Sequence, residues 1–174
     1  MSNYSEQLAT LSMEKRELLE LLLDKDGADD SFPLSFTQRR LWFLDQIEPG
    51  NSAYNIRTAF RLTGVLNLIA LEQSLNEIVR RHESLRTTFA VENEHPVQVI
   101  TPELHLPLPV LNLVELAADQ REAEVGRLAG EEARQPFELT TGPLLRGRLL
   151  KLGEQEHVLL LTMHHIISDG WSMG

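Results

Sequence analysis

Near one end of this chain two adjacent histidines, His164 and His165, are followed by Asp169-Gly170 and then Ser172. An imidazole titrates near neutrality and can exchange a proton with a reacting group. A carboxylate four residues past His165 can organise a turn or meet a buried cation. The run that leads in, Val158 to Met163, is apolar on both faces, as in a strand buried in the middle of a sheet, and it delivers both imidazoles into the interior. Successive strand side chains point to opposite faces, so the two rings cannot serve one site unless the strand is bulged. One histidine is expected to act chemically and the other structurally, and alternation does not say which. Taken alone, a buried histidine at a strand end is more often a hydrogen-bonded core residue than a catalyst.

Three other chemistries compete. Gly170-Trp171-Ser172-Met173-Gly174 fits the Gly-x-Ser-x-Gly elbow of serine hydrolases, but that elbow needs its acid and histidine later in the chain, and none follow here. His164, His165 and Asp169 could be imagined as metal ligands, yet adjacent strand histidines diverge and no third nitrogen or thiolate is spaced to close a zinc site. His82, flanked by Arg80-Arg81, falls on the apolar face of a helix and reads as structural.

The elements that must position these residues can be read from periodicity. Leu34-Ser35-Phe36-Thr37-Gln38 has the capping-box pattern and opens a helix that presents Phe36, Leu41, Leu44 and Ile47 before Pro49-Gly50 stops it. Asn51 to Gly64 reads as a strand. Leu68, Leu71, Leu75, Ile78, His82 and Leu85 recur at three- and four-residue spacing, predicting a helix over 68–85 with Glu72 and Asn76 off its apolar face. Thr87–Val91 and Pro96–Ile100 bracket a polar turn as a hairpin, and a proline-rich connector runs from Pro102 to Pro109. A third helix is expected over 116–134, ended by Pro136, and Leu144–Leu152 with His157–Ile167 form a second hairpin. Interleaved helices and strands make the fold class α/β or α+β, a sandwich whose sheet is covered by helices.

Composition narrows the partners. The net charge is −10, and half of it lies in residues 1–30, where eight acids face three bases. No basic stripe for a phosphate backbone exists, which argues against nucleic acid. With no cysteine, disulfides, thiolate metal sites and a cysteine nucleophile are excluded together. Neither a signal-peptide block nor a membrane-length apolar run is present, so a cytoplasmic location without membrane contact is expected. Residues 1–30 read as an amphipathic helix around Leu18, Leu19, Leu22 and Leu23 plus an acidic linker, a tether or docking segment, with the main domain spanning 31–174.

His-His-Ile-Ile-Ser-Asp-Gly-Trp-Ser, residues 164–172, resembles the signature of the condensation domains of nonribosomal peptide synthetases. Leu34 to Ile56 and Arg81 to Phe89 resemble that family's earlier segments in the same order, as do Pro136-Phe137-Glu138-Leu139 and Gly142 to Arg146. The resemblance implies a chloramphenicol-acetyltransferase-like lobe with a mixed sheet covered by helices, two such lobes enclosing an active site between them. Carbonyl substrates would arrive on the 4′-phosphopantetheine arms of upstream and downstream peptidyl carrier proteins, and no cofactor or metal would be bound directly. The C-terminal lobe and an adjacent adenylation domain are implied partners. A chain stopping at Gly174 would then be inactive alone, or would act as a carrier-protein or domain interaction unit.

The wording of the first segment is most similar to the subclass joining an L-configured donor to an L-configured acceptor; a cyclisation domain would carry aspartates where the histidines stand, and an epimerisation domain would differ in the first segment. By the same resemblance His165 faces the reacting atoms as base or hydrogen-bond partner, while His164 is structural. Asp169 becomes an architectural carboxylate paired with Arg86, and Gly170 permits a close backbone approach and an amide for the oxyanion.

On this reading Ser172 is not a nucleophile. Ser172→Ala in the complete two-lobed domain is therefore expected to keep most activity, measured as amide transfer between loaded carriers. A loss equal to that of a catalytic knockout, with an acyl group trapped on Ser172 of the unsubstituted domain, would restore the hydrolase reading.

Overall fold

The computed structural model describes residues 31–169. The expected helix and linker over 1–30, Gly170 and Ser172 lie outside the described residues.

The strands are β1 (Ser31–Pro33), β2 (Asn55–Thr63), β3 (Thr87–Glu92), β4 (His95–Ile100), β5 (Val110–Asn112), β6 (Leu145–Gly153) and β7 (Glu156–His164); the helices are α1 (Phe36–Ile47), α2 (Leu68–Arg81) and α3 (Ala118–Arg134). The larger sheet has the order β2-β7-β6-β5, with β5 parallel to β6 and the other pairs antiparallel. It is thus a mixed sheet, and β7 lies inside it with a partner on each side. The hairpin of β3 and β4 does not join it. It recruits β1 into a separate three-stranded antiparallel sheet, where the sequence pattern implies a single sheet.

Both faces of the larger sheet are covered, which explains why β7 lacks polar alternation. Leu149 and Leu159 pack with Leu71 and Leu75 of α2, while Leu150, Leu152, Val158 and Leu160 pack with Val125, Leu128 and Ala129 of α3. Neighbours Leu149 and Leu150 are both fully buried, one to each face. Burying such a side chain stabilises by roughly 1.5–3 kcal/mol. A third cluster, including Leu41, Phe89, Phe137, Leu139, Leu144 and Ile166, joins the smaller sheet to the end of β7. There the amide of Phe89 donates to the carbonyl of Leu139 at 2.8 Å.

Helix α1 starts as its capping box requires: the Gln38 amide donates to Ser35 Oγ, and the Ser35 amide donates to Gln38 Oε1. Helix α2 ends earlier than its periodicity predicts. His82 takes an extended conformation, its amide donating to Ile78, and residues 83–86 form a 3-10 turn. The stripe is only partly covered, with Ile78 48% exposed. His82 is therefore an exposed helix cap, not a residue of a buried helical face.

The proline-rich connector is held as tightly as a strand. Leu106 and Leu108 are buried, and Asn76 of α2 grips Leu106 like a peptide group, accepting from its amide at 2.8 Å and donating to its carbonyl at 2.9 Å. One turn back along α2, Glu72 accepts from the Leu108 amide. The polar side of α2 thus supplies the ladder that proline denies the connector.

Asn76→Ala should therefore lower stability by about 1–3 kcal/mol, because it leaves a part-buried amide and carbonyl unpaired. Denaturant midpoints of the complete domain check this, and an unchanged midpoint would show that water replaces the clamp freely.

Candidate active site

The site is built where β7 runs out. Its last paired residue, His164, sits opposite Asn55 in β2, and its amide donates to Leu144 before β6. One residue on, the His165 amide donates to the carbonyl of Tyr54 at 2.8 Å. These amides point to opposite neighbours, so strand geometry persists through His165 and the two side chains diverge. Beyond it the chain folds into a turn, closed by the Ile167 amide on the His164 carbonyl and anchored by buried Ile166 and Ile167.

His164 is 3% exposed and lies between aromatic rings, tilted against Tyr54 and edge-on to Phe137, each 6.3 Å away between centroids. Its Nδ1 accepts from the Ile166 amide at 3.2 Å, so the neutral ring carries its proton on Nε2. Burial pushes its pKa down to about 4, with neighbouring His165 adding to the push.

His165 is half-buried, and its Nδ1 lies 2.8 Å from the carbonyl oxygen of Ser168. A carbonyl only accepts, so Nδ1 bears the hydrogen and the neutral ring offers an unprotonated Nε2. The two histidines thus hold opposite tautomers, set by backbone groups of the same turn. The structure separates them as strand alternation requires, and gives His165 the form that can take a proton.

A cleft of about 490 Å³ opens beside this turn. Ile167 and Ser168 line it together with Leu161 and Met163 of β7, Ile78 of α2 and His82. Its walls are mainly apolar, and His82 joins it because α2 stops at Arg81. Helical periodicity could not reveal that placement, because it depends on where the helix ends.

Asp169 is exposed. In Arg86, its expected partner, Nη1 donates to the carbonyl of Thr101 at 2.6 Å and Nη2 lies 3.4 Å from Glu83. The Thr101 amide and hydroxyl in turn donate to the Arg86 carbonyl. Arg86 is thus held by the chain leaving β4 and by Glu83.

Sequence reasoning missed the support beneath His164. Arg146 of β6 lies 3.7 Å over the ring of Phe137, and Glu132, 7% exposed, is 3.0 Å from Arg148 and 3.5 Å from Arg146. The side-chain amide of Asn55 donates to the carbonyls of Ala133 and Gln135. The resemblance of residues 136–139 and 142–146 to known sequences was the available signal, although it carried no role for them.

An α/β sandwich lobe in which helices cover both faces of a mixed sheet, and the inner strand presents a histidine pair, is the chloramphenicol-acetyltransferase-like class. It is the fold of the starter condensation domain of rhizomide synthetase, whose solved structure matches with a TM-score of 0.75 and 28% identity over 81% of this chain and 35% of that one. A family model described as the condensation domain matches residues 28–174, and the chain belongs to that family. One of the linear gramicidin synthase polypeptides of Brevibacillus parabrevis is 48% identical over 173 residues, 99% of this chain and 2% of that protein. The phosphinothricin tripeptide synthetase PhsC of Streptomyces viridochromogenes is 38% identical across the whole chain, which spans 17% of its length. Among the described residues no helix is long and apolar enough to cross a membrane.

The depressed pKa of His164 has a consequence for stability. Its folded value near 4 lies below the ordinary 6.5, so on acidification the unfolded chain takes up the proton first. The stabilisation is complete above about 6.5 and erodes as the pH falls toward 4. His164→Asn keeps an acceptor for the Ile166 amide but cannot titrate, and it should flatten that part of the stability profile measured by denaturant unfolding. An unaltered slope would place the acid sensitivity elsewhere.

Proposed function

We propose that this chain is the histidine-bearing N-terminal lobe of a nonribosomal peptide synthetase condensation domain. The complete domain joins the acyl group of a carrier-bound aminoacyl or peptidyl thioester to the amine of a carrier-bound amino acid, in the subclass taking L-configured donor and acceptor. Family membership supports the reaction class. The observation that carries the residue assignment is the 2.8 Å contact of His165 Nδ1 with the Ser168 carbonyl, which leaves Nε2 as the free acceptor.

The amine nitrogen attacks the thioester carbon, forming the C–N bond, and the carbonyl oxygen takes negative charge. A neutral amine gains positive charge as it attacks and must lose a proton for the amide to form. His165 Nε2 accepts that proton. On collapse the C–S bond breaks, and the imidazolium returns its proton to the departing thiolate, releasing a free thiol on the donor arm and an amide on the acceptor. The Ser168 carbonyl holds the ring in orientation throughout and stabilises the imidazolium, as the orienting partner of a catalytic histidine does.

His164 is the architectural member of the pair. Its ring fills the space between Tyr54 and Phe137, and at a pKa near 4 it is a weak base at neutral pH. Asp169 is the architectural carboxylate of the motif. The substrates reach the site on 4′-phosphopantetheine arms of upstream and downstream peptidyl carrier proteins, and the C-terminal lobe closes the other side. An adjacent adenylation domain loads the acceptor carrier, and the assembly works in the cytoplasm.

In the complete domain His165→Ala should lose about 10²–10⁴ in the rate of single-turnover transfer while keeping its melting temperature. His164→Ala should instead lower the melting temperature or soluble yield, with activity per folded molecule less affected. A dead but well-folded His164→Ala beside an active His165→Ala would reverse the assignment. Full activity in both would overturn the role given to the pair, and no transfer by the unsubstituted domain would favour a lobe that only binds carriers.

A further inference from the structure

We propose that Arg146 is a positioning residue for His165, acting through Phe137 and through the backbone that ends α3. The proposal rests on the reading of His165 as the proton acceptor.

The last turn of a helix leaves carbonyls without intrahelical partners. At the end of α3 these are met by side chains from two different strands. From β6, Arg146 donates to the carbonyls of Glu132 at 3.3 Å, Gln135 at 2.7 Å and Pro136 at 3.0 Å. From the start of β2, Asn55 donates to those of Ala133 at 3.0 Å and Gln135 at 2.9 Å. The carbonyl of Gln135 is therefore a shared joint between the strands that flank β7.

Both arms of the joint lead to the histidines. Asn55 is the register partner of His164, and the preceding carbonyl, that of Tyr54, holds the His165 amide. On the other side the guanidinium lies over Phe137 at 3.7 Å, and Phe137 and His164 meet in a T-shaped contact. Arg146 thus touches neither the cleft nor His165, yet it braces the β2 segment and the ring stack against which the histidine turn is built. Loss of the guanidinium takes the side-chain donor from the Glu132 and Pro136 carbonyls, uncovers Phe137 and leaves Asn55 alone on the Gln135 joint. A displacement of Tyr54 then passes directly to His165, and misplacement by about 1 Å can cost a hundredfold in rate.

The planar fork is essential to this task, because a single ammonium cannot meet three carbonyls and stack on a ring. Arg148 supplies the control. It shares Glu132 with Arg146, at 3.0 Å, and that ion pair involves neither the joint nor the ring.

The test uses the complete domain with Arg146→Met, Arg146→Lys and Arg148→Met. It reads single-turnover transfer between two loaded carriers and the histidine ring resonances by NMR. Both Arg146 variants should lose roughly ten- to a hundredfold in rate at unchanged apparent affinity for the carriers, with His165 ring signals shifted. Arg148→Met should do neither. Placed in a His165→Ala background, Arg146→Met should add no further loss, because its effect runs through the missing ring. Additive losses, equal damage from Arg148→Met, or unmoved His165 signals would overturn the proposal. Should Arg146→Met not fold, Phe137→Leu cuts the same route while keeping apolar volume, and it must show the same rate loss and ring shift. If the unsubstituted domain transfers nothing, the functional reading fails, and the ring signals still decide whether Arg146 positions His165.

Discussion

A strand that is paired on both edges, covered on both faces and continued by a buried turn keeps its last amides away from water, and β7, followed by buried Ile166 and Ile167, is such a strand. Its final amides must find acceptors inside the protein, and they do so alternately, His164 on the Leu144 carbonyl and His165 on that of Tyr54. Those bonds fix where the polar side chains at its end are carried. The turn after the strand, the cleft beside it and the separation of the two imidazoles all follow from where this central strand is made to stop.

Within that constraint, two chemically identical side chains become different reagents. His164 accepts from a backbone amide and His165 lies against a backbone carbonyl, so their neutral rings carry the proton on different nitrogens. Burial sets His164 further apart, since aromatic rings enclose it and it resists protonation. Neither effect needs a nearby carboxylate, and both arise from groups close to the end of β7. The carboxylate-rich exterior contributes little to this inner site. Its ion pairs, such as Arg127 between Glu124 and Glu131 on α3, are exposed, and pairs of that kind contribute little.

The half-buried polar groups are arranged to finish what regular structure leaves open. Asn76 and Glu72 complete the connector that its prolines interrupt, and Asn55 and Arg146 cap the carbonyls at the end of α3. Glu132 is the carboxylate that lets two arginines of β6 point inward beneath α3. Most of these side chains bind to the backbone of a distant segment, so the lobe's three apolar clusters are tied together by polar contacts at their borders.

Much of this was legible in residue types and spacing. The apolar run through Met163 announced an inner strand, the Ser35–Gln38 box marked the start of α1, and strand alternation required that His164 and His165 part company. Side-chain periodicity encodes which face a residue occupies, and those conclusions need nothing more. It does not encode the partner, and the outcomes that depended on partners were decided by the tertiary structure. Alternation could not choose between the histidines, because the choice lies in a carbonyl and an amide that nearly every residue possesses. Arg86 was assigned to Asp169 by resemblance, and its contacts to the Thr101 carbonyl and to Glu83 were not foreseen, since no sequence pattern distinguishes that carbonyl from any other. His82 continued the helical stripe on paper and became an exposed cap beside the cleft, because α2 ended four residues before its apolar spacing did. The sequence by itself determined the family, the inner strand and the divergence of the two histidines; the fold decided which backbone groups met each ring, because hydrogen-bond partners distant in the chain are chosen only when the elements pack.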